Sequence, residues 1–254
     1  MTHYLIVSDI GCNHMGSITL AKEMIEAAYD AGVNIAKFQY YRAKDIESYE
    51  KDRSDSLYTR EIFEAIRETE FSIDQMKELK DHADKVGVEW MCTPFLHVER
   101  LQELEREVNP KRWKIRERDS ENLDLIKAAI ETGKEVFLSV SKKPEDPFIL
   151  YNPNIKLLKC IAKYPPDLRD LDLDDFEFFE GFSCHFPHIT ASLAAAAVAL
   201  RAGKEQFIIE QHMTLDHNLD TLDDAVSITP QEFAELVKHL RRLEKCGTGR
   251  IRMF

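Results

Sequence analysis

The sequence predicts an α/β protein built as a (β/α)₈ TIM barrel, and three observations lead to that prediction. Short apolar runs rich in β-forming residues alternate with amphipathic segments of helical period, which is typical of βα units around a parallel sheet. The apolar runs number eight. No GxGxxG motif follows the first run, so a closed barrel is favoured over an open nucleotide-binding sheet.

The predicted strands and helices follow one another in regular order. The strands are Tyr4–Ile10, Ile35–Tyr40, Val88–Cys92, Trp113–Glu117, Val136–Val140, Lys156–Ile161, Gly181–His185 and Phe207–His212. Helical periodicity covers Thr19–Ala31, Ile73–Val86, Val98–Val108, Leu123–Thr132, Ile189–Ala202 and Gln231–Lys245. Several of these segments end in a glycine that suits a helix C-terminus, namely Gly32, Gly87, Gly133, Gly203 and Gly247.

Two units depart from this order. The fifth strand is followed only by Lys142–Pro153, whose prolines predict that the helix is reduced to a loop. The second strand is followed by an extra charged segment, Arg42–Glu70, which we expect to carry its own helix at Tyr58–Glu68. No linker rich in proline, glycine or serine divides the chain, so residues 1–254 are predicted to form a single barrel domain.

The composition excludes several classes of function. The net charge of −12 disfavours binding to nucleic acid through its phosphates. No basic region followed by a long apolar run opens the chain, and no segment is apolar over the length of a membrane span, so we expect a soluble cytoplasmic protein. The five cysteines lack CxxC spacing, which predicts reduced thiols rather than disulfides or a zinc knuckle.

Two lysines are the first candidates for a ligand site, because reactive groups in TIM barrels come from the C-terminal ends of the strands. Alternation along the second strand points Lys37 and Gln39 to the same side, and Lys114 is a second candidate cation on the fourth strand. A buried ammonium needs an anion. That anion is either a substrate phosphate or carboxylate, or an internal partner such as Asp9 or Glu210. Thr93 and Ser139 supply hydroxyl donors at other strand ends.

Two histidines are candidate metal ligands. His185 and His212 end the seventh and eighth predicted strands, which are neighbours in a barrel. Two imidazoles with open coordination positions suit a catalytic divalent metal that keeps water or substrate as further ligands. The other histidines are weaker candidates in loops or are expected at the surface.

A set of short motifs in fixed order resembles one known family. The motifs are Asp9–Gly16, Lys37–Gln39, Thr93–Phe95, Lys114–Ile115, Leu138–Ser139, Tyr164–Pro165, Gly181–His185, Glu210–His212 and Ser227–Pro230. In order and spacing they resemble the N-acetylneuraminate (sialic acid) synthases and their legionaminic, pseudaminic and spore-coat relatives. The resemblance implies a transferase that joins phosphoenolpyruvate to the open-chain aldehyde of an N-acetylated amino sugar and releases phosphate.

The resemblance also implies roles for particular residues. His185 and His212 would hold a divalent metal, typically Mn²⁺, which polarises the sugar carbonyl. Asp9 would act with them, and Asn13 would line the floor near the metal. Tyr164 and Asp223 would face the sugar. The residues implied to bind phosphoenolpyruvate are Lys37, Gln39, Thr93, Lys114, Ser139 and Ser183.

Departures from the family pattern leave alternatives open. Asp9 replaces the usual glutamate, Cys184 replaces an aspartate, and Glu117 stands where the family has a small segment with a phosphate-binding serine. We expect no counterpart of the family's C-terminal antifreeze-like domain in this sequence, and the resemblance alone implies a homodimer. The alternatives are a smaller aldehyde acceptor, a metal-dependent aldolase or lyase with another oxo-acid donor, and a catalytically silent barrel that binds a sugar acid or partners a full-length synthase.

Overall fold

The structure is a computed structural model that describes residues 2–51 and 59–246. Eight parallel strands form where the sequence predicts them, with ends that differ by at most two residues. The strands are β1 His3–Gly11, β2 Ile35–Tyr40, β3 Glu89–Pro94, β4 Arg112–Ile115, β5 Glu135–Val140, β6 Ile155–Cys160, β7 Gly181–Cys184 and β8 Gln206–Met213.

The eight strands close into a barrel. Each strand pairs with the next in parallel, and β1 pairs with β8 from His3↔Gln206 to Asp9↔His212. The predicted TIM barrel is therefore confirmed. A ninth strand, β9 Ser227–Ile228, was not predicted; it pairs with the end of β8 in the register His212↔Ser227.

Helices cover the outside of the barrel. Their bounds are α1 Ile18–Asp30, α2 Ala43–Glu50, α3 Arg60–Glu68, α4 Ile73–Val86, α5 Val98–Glu107, α6 Leu123–Glu131, α7 Pro147–Leu150, α8 Asp175–Phe178, α9 Thr190–Arg201 and α10 Pro230–Leu243. Capping boxes at Ser72 and Thr229 satisfy the first amides of α4 and α10. The sequence predicts that glycines end several helices. Gly32, Gly87, Gly133 and Gly203 have positive φ angles, which suit a helix C-terminus and confirm the prediction for these four. Gly247 lies outside the described residues.

The irregular units differ in detail from the prediction. The segment after β5 is not wholly a loop, because Asp146 caps a single helical turn, α7, with Pro147 at its first position. The unit after β6 also carries only one turn, α8. In the extra segment after β2, the helix predicted over Tyr58–Glu68 is described from Arg60 onward, whereas Tyr58 lies outside the described residues. The helix α2 was not predicted.

Two layers of side chains fill the barrel interior. An apolar plug occupies the half nearer the strand N-termini and consists of Val7, Ile35, Met91, Phe137, Leu158 and Ile208. Two positions later on the same six strands, and so on the same face, come Asp9, Lys37, Thr93, Ser139, Cys160 and Glu210. The plug therefore supports a second, largely polar layer at the C-terminal end of the barrel.

The outer core lies between the strands and the helices, where buried aliphatic and aromatic side chains from both layers meet. A separate small cluster around Ile46, Ile66 and Phe95 packs α2 and α3 against the barrel mouth. Within the described residues no helix has both the length and the apolar composition needed to cross a membrane.

Candidate active site

A cavity of about 360 Å³ opens at the C-terminal ends of the strands. It is lined by eleven of the twelve predicted site residues, and the exception is Asn13. The eleven are Asp9, Lys37, Gln39, Thr93, Lys114, Ser139, Tyr164, Ser183, His185, His212 and Asp223. The structure thus brings together side chains from every strand of the barrel or from the loops that follow them.

The floor of the cavity is a network of buried opposite charges. Lys37 Nζ lies 2.6 Å from Asp9 Oδ2 and 3.5 Å from Glu210 Oε1. Lys114 Nζ lies 3.4 Å from Glu210 Oε1 and donates to Ser139 Oγ at 2.7 Å. The internal partners considered from the sequence are therefore both present. Two ammonium groups and two carboxylates make the floor electrically balanced before any ligand binds.

Burial acts on these charges in different ways. Burial alone would lower the pKa of Lys37, but Asp9 and Glu210 outweigh it and raise that pKa. Burial lowers the pKa of Lys114, which Glu210 only partly offsets. Burial would raise the pKa of Glu210, yet Lys114 and Lys37 hold it at about 2. Glu210 is consequently ionised at neutral pH, and Lys114 is the lysine whose charge is less firmly held.

Several polar atoms of the floor have no protein partner. Asp9 Oδ1, Glu210 Oε2 and Thr93 Oγ1 are buried and form no hydrogen bond. A buried polar atom without a partner costs on the order of 1–3 kcal/mol. All three residues line the cavity, so the floor is arranged to hydrogen-bond something that enters it.

His185 and His212 meet at one side of the cavity. Their ring centres are 5.3 Å apart and the rings are inclined at 49°. His212 Nε2 faces Asp9 Oδ2 at 3.3 Å, and His185 Nδ1 lies 3.8 Å from Cys160 Sγ. Burial, with a smaller contribution from His212, lowers the pKa of His185 to about 3, so that its imidazole is neutral at physiological pH.

The histidine pair has a geometry that fits a metal ion. Among the described residues, no group of three or more His, Cys, Asp and Glu side chains is placed to hold an ion. Two imidazoles bound to one ion at about 2.1 Å each hold their ring centres on the order of 5 Å apart, and the observed separation fits that arrangement. A neutral imidazole is also the form that binds metal. The residues therefore fit a metal with two protein ligands and further positions for water or substrate.

Asp223 forms the wall beside the histidines. Its carboxylate accepts hydrogen bonds from the Tyr164 hydroxyl and, at 3.5 Å, from the Cys12 thiol. Its Oδ2 lies 3.5 Å from His212 Nδ1. Asn13 lies behind this wall, where its amide donates to Met213 O and Ser227 Oγ, both at 2.9 Å, and accepts from the Asp223 amide. Asn13 thus fixes the loop that carries Asp223 and does not face the cavity.

The loop after β4 forms the upper edge of the cavity. The predicted strand extended to Glu117, but β4 ends at Ile115 and Glu117 opens a 3₁₀ turn. Strand alternation from Lys114 would have turned Glu117 away from the interior; because the strand has already ended, the side chain lines the cavity.

Two of the lining residues that the sequence did not predict as site residues belong to the polar layer of the barrel interior. Glu210 contacts both floor lysines and accepts from Ser183 Oγ at 2.8 Å. Cys160 lies against His185, and burial raises the pKa of its thiol to about 12. Alternation could have identified Glu210, since it lies two positions before His212 on the same strand face. Alternation also places Cys160 on the inner face of β6, two positions after Leu158, but a small buried thiol is common in cores and does not indicate a site residue.

Comparison with known proteins gives consistent matches. The model of the NeuB family matches residues 24–251. An N,N'-diacetyllegionaminic acid synthase of Campylobacter jejuni is 31% identical to this chain, over 98% of it and 79% of the relative. The N-acetylneuraminate-9-phosphate synthase of Mus musculus is 29% identical, over 94% of this chain and 70% of the relative.

A solved structure is also similar to this chain. The N-acetylneuraminic acid synthetase of Leptospira borgpetersenii, crystallised with citrate, is similar to this chain with a TM-score of 0.81 and 29% identity. The match covers 95% of this chain and 84% of that one.

Proposed function

The chain belongs to the NeuB family, and from that premise we propose that it is a metal-dependent synthase that condenses phosphoenolpyruvate with an aldehyde. The acceptor is an N-acetyl amino sugar or a smaller aldehyde. In this reaction the methylene carbon of phosphoenolpyruvate bonds to the aldehyde carbon, water adds to the adjacent carbon, and the C–O bond to phosphate breaks. The convergence of two buried ammonium groups beside a histidine pair is the observation that carries the proposal.

The floor would bind the anionic donor. Lys37 and Lys114 supply positive charge, and Ser139 and Thr93 supply hydroxyl groups within the same layer. Thr93 Oγ1 is free to bond a ligand because no protein atom pairs with it. A donor carboxylate or phosphate would share the lysines with Asp9 and Glu210, so its binding is a competition between anions in a low-dielectric site.

The histidine side would receive the aldehyde. His185 and His212 would hold a divalent metal, and that metal would supply Lewis-acid polarisation of the carbonyl group. Asp9 would orient water, since its Oδ1 has no protein partner while its Oδ2 is held by Lys37. Tyr164 and Asp223 would position the acceptor from the wall.

The test is phosphate release from phosphoenolpyruvate by the purified protein with Mn²⁺ and a panel of N-acetyl amino sugars and short aldehydes. We expect release that depends on the aldehyde and that is lost in His212→Ala. The matched control is His217→Ala, which changes a half-exposed histidine paired with Asp224. Release without aldehyde, or equal release by the His212 variant, would contradict the proposal.

A second candidate reaction is favoured by the charge of the cavity. Both floor lysines already face carboxylates, and Glu117 adds a further negative charge at the upper edge. A metal-dependent aldolase that uses an oxo acid without phosphate, such as pyruvate, would bring less negative charge into this site. Mass spectrometry of mixtures with pyruvate and the same aldehydes distinguishes the two reactions, because only the aldolase forms product without phosphate release.

A further inference from the structure

Gln211 is the residue of the Glu210–His212 motif that the proposed reaction does not use. Its neighbours on β8, Glu210 and His212, point into the barrel, so alternation turns Gln211 to the outer face of the strand. Its side chain is fully buried there and contacts α9 through Ser192. A buried amide needs partners for both its donor and its acceptor atoms, so these partners define what Gln211 holds in place.

The amide group of Gln211 holds the two turns that follow β7 and β8. Its Nε2 donates to Phe186 O at 2.6 Å and to Val226 O at 3.4 Å, and its Oε1 accepts from Ser192 Oγ at 3.0 Å. Phe186 directly follows His185, and Val226 ends the 3₁₀ turn after β8. One side chain thus connects a helix on the outside of the barrel to two turns at its C-terminal end.

The turn that contains Val226 carries the wall carboxylate Asp223. The Val226 amide donates to Asp223 O at 3.1 Å, and Ser227 Oγ donates to the same oxygen at 2.7 Å. Asp223 Oδ2 in turn lies 3.5 Å from His212 Nδ1. Through Val226, Gln211 therefore holds the carboxylate that faces His212, in addition to the turn after β7.

We propose that Gln211 is a positioning residue that sets the separation and orientation of His185 and His212, and thereby the affinity of this pair for a divalent metal. Gln211 directly precedes His212, and its amide fixes the carbonyl group of the residue after His185. It therefore ties together the chain segments that carry the two imidazoles. Removal of a group that orients metal ligands from behind typically weakens metal binding by about 10–100-fold. The inference rests on the proposed function in one respect, namely that the histidine pair binds a metal.

The experiment measures the Kd of Mn²⁺ from the electron paramagnetic resonance signal of the free ion, for the native protein and for Gln211→Met. Methionine is similar in length to glutamine but has no N–H donor, so the two carbonyl groups lose their partner. We expect the Kd to increase by about tenfold or more. Ser192→Ala removes only the donor to Oε1 and should increase the Kd by less. Added to Gln211→Met it should have no further effect, because Ser192 acts on the site through the amide.

Asn34→Leu controls for a general loss of stability. The Asn34 amide also connects distant segments, since its Oδ1 accepts from Ile6 N at 2.9 Å and from Arg241 at 3.0 Å. It lies at the opposite end of the barrel, directly before β2. Urea unfolding should show that Gln211→Met and Asn34→Leu both lower the free energy of unfolding, whereas Asn34→Leu should bind Mn²⁺ with the native Kd. An equal increase of the Kd in both variants would overturn the inference.

The phosphate-release assay separates this inference from the proposed reaction. If Gln211→Met weakens Mn²⁺ binding but no aldehyde gives phosphate release, the synthase proposal fails and the positioning role stands. If phosphate is released but Gln211→Met binds Mn²⁺ with the native Kd, the positioning role fails and the reaction stands. Absence of Mn²⁺ binding by the native protein would also overturn the inference.

Discussion

Lys114 holds its charge less firmly than Lys37, and this difference has a measurable consequence. Burial lowers the pKa of Lys114 from 10.5, and Lys37 opposes its protonation further. As the pH rises through this lowered pKa, the ammonium is lost, so we expect the KM for phosphoenolpyruvate to increase at a pH below that of an ordinary lysine. The measurement is the pH profile of kcat/KM for the donor. Lys114→Met should bind the donor weakly at all pH values and should lack this alkaline decrease.

The contribution of Lys114 to folding stability should increase as the pH rises, whereas donor binding should decrease. The folded pKa of Lys114 lies below its unfolded value, so between the two the unfolded chain binds more protons. The free energy of unfolding attributable to Lys114 therefore rises with pH in that window, where anion binding is being lost. Urea titrations of the native protein and Lys114→Met at several alkaline pH values give this difference. A difference that falls with rising pH would contradict a lowered pKa.

The direction in which a side chain points was predictable within a strand but not beyond its end. Alternation placed Lys37 and Gln39 on one side, and both line the cavity. The same rule fails for Glu117, because β4 ends two residues earlier, at Ile115, and a 3₁₀ turn begins at Glu117. The position of Asn13 behind the wall depends on its contacts with β8 and β9, which lie 200 and 214 positions away in the chain, and a local pattern does not report them.

The loop between β1 and α1 is held against the end of α3 by Gly16. Its φ is +74°, and a Cβ there would lie 2.0 Å from the carbonyl oxygen of Glu68. Gly16→Ala therefore adds a backbone clash to the strain of a left-handed alanine. Gly133→Ala is the matched control, since its φ is +76° and no atom lies within 4 Å of the new Cβ.

We expect Gly133→Ala to lower the free energy of unfolding by about 1–2 kcal/mol, because only the strain of the left-handed backbone contributes there. Gly16→Ala should cost more and should also weaken acceptor binding, because the clash displaces α3, which carries Ile62 and Ile66 in the cavity wall. Urea unfolding and the acceptor KM provide the two measurements. Equal losses of stability in the two variants would show that the contact with Glu68 is relieved without cost.

The helix α2 is tied to the barrel through the buried Glu50. Its carboxylate meets Arg118 at 2.7 Å on the loop after β4, and its side chain is fully buried. Removal of Arg118 would leave the fully buried Glu50 carboxylate without its partner, which costs about 3–5 kcal/mol, so Arg118→Ala should be strongly destabilising. The control is Glu64→Ala, which breaks the exposed Arg60–Glu64 pair and should cost below about 0.5 kcal/mol in the same denaturation assay.

The elements that sequence patterns missed are those whose stability comes from such distant contacts. The segment Ala43–Glu50 has mostly polar residues and only Ala43, Ile46 and Glu50 are buried, so its periodicity is weak. The two-residue strand β9 forms only because β8 extends past the barrel and pairs with it. The long helices α4 and α10, in contrast, carry capping boxes and full apolar stripes, and the sequence predicts both.

At the scale of the whole barrel, the site is the continuation of the core. Each residue of the apolar plug is followed two positions later by a residue of the site layer, so the barrel's pleat aims both sets inward. Val7 precedes Asp9 in this way, and Ile208 precedes Glu210. The plug packs beneath the buried charges, and these charges converge because β1, β2, β4 and β8 each carry one of them on the inner face of the barrel. Strand order was predictable from the eight runs, but the pairing of particular charges required the closed register between β1 and β8.

The two proposed metal ligands belong to neighbouring strands, since His185 directly follows β7 and His212 lies on β8. A metal bound by both would link the two strands, so metal binding should stabilise the folded protein. A ligand at about 100 times its Kd adds on the order of 2.7 kcal/mol. For a domain of this size, about 2–4 °C per kcal/mol predicts that Mn²⁺ raises the Tm by roughly 5–10 °C. The shift should disappear in His185→Ala with His212→Ala and persist in His239→Ala, which changes a half-exposed histidine on α10. An equal shift in the double variant would place the bound ion elsewhere and would remove the metal from the proposed reaction.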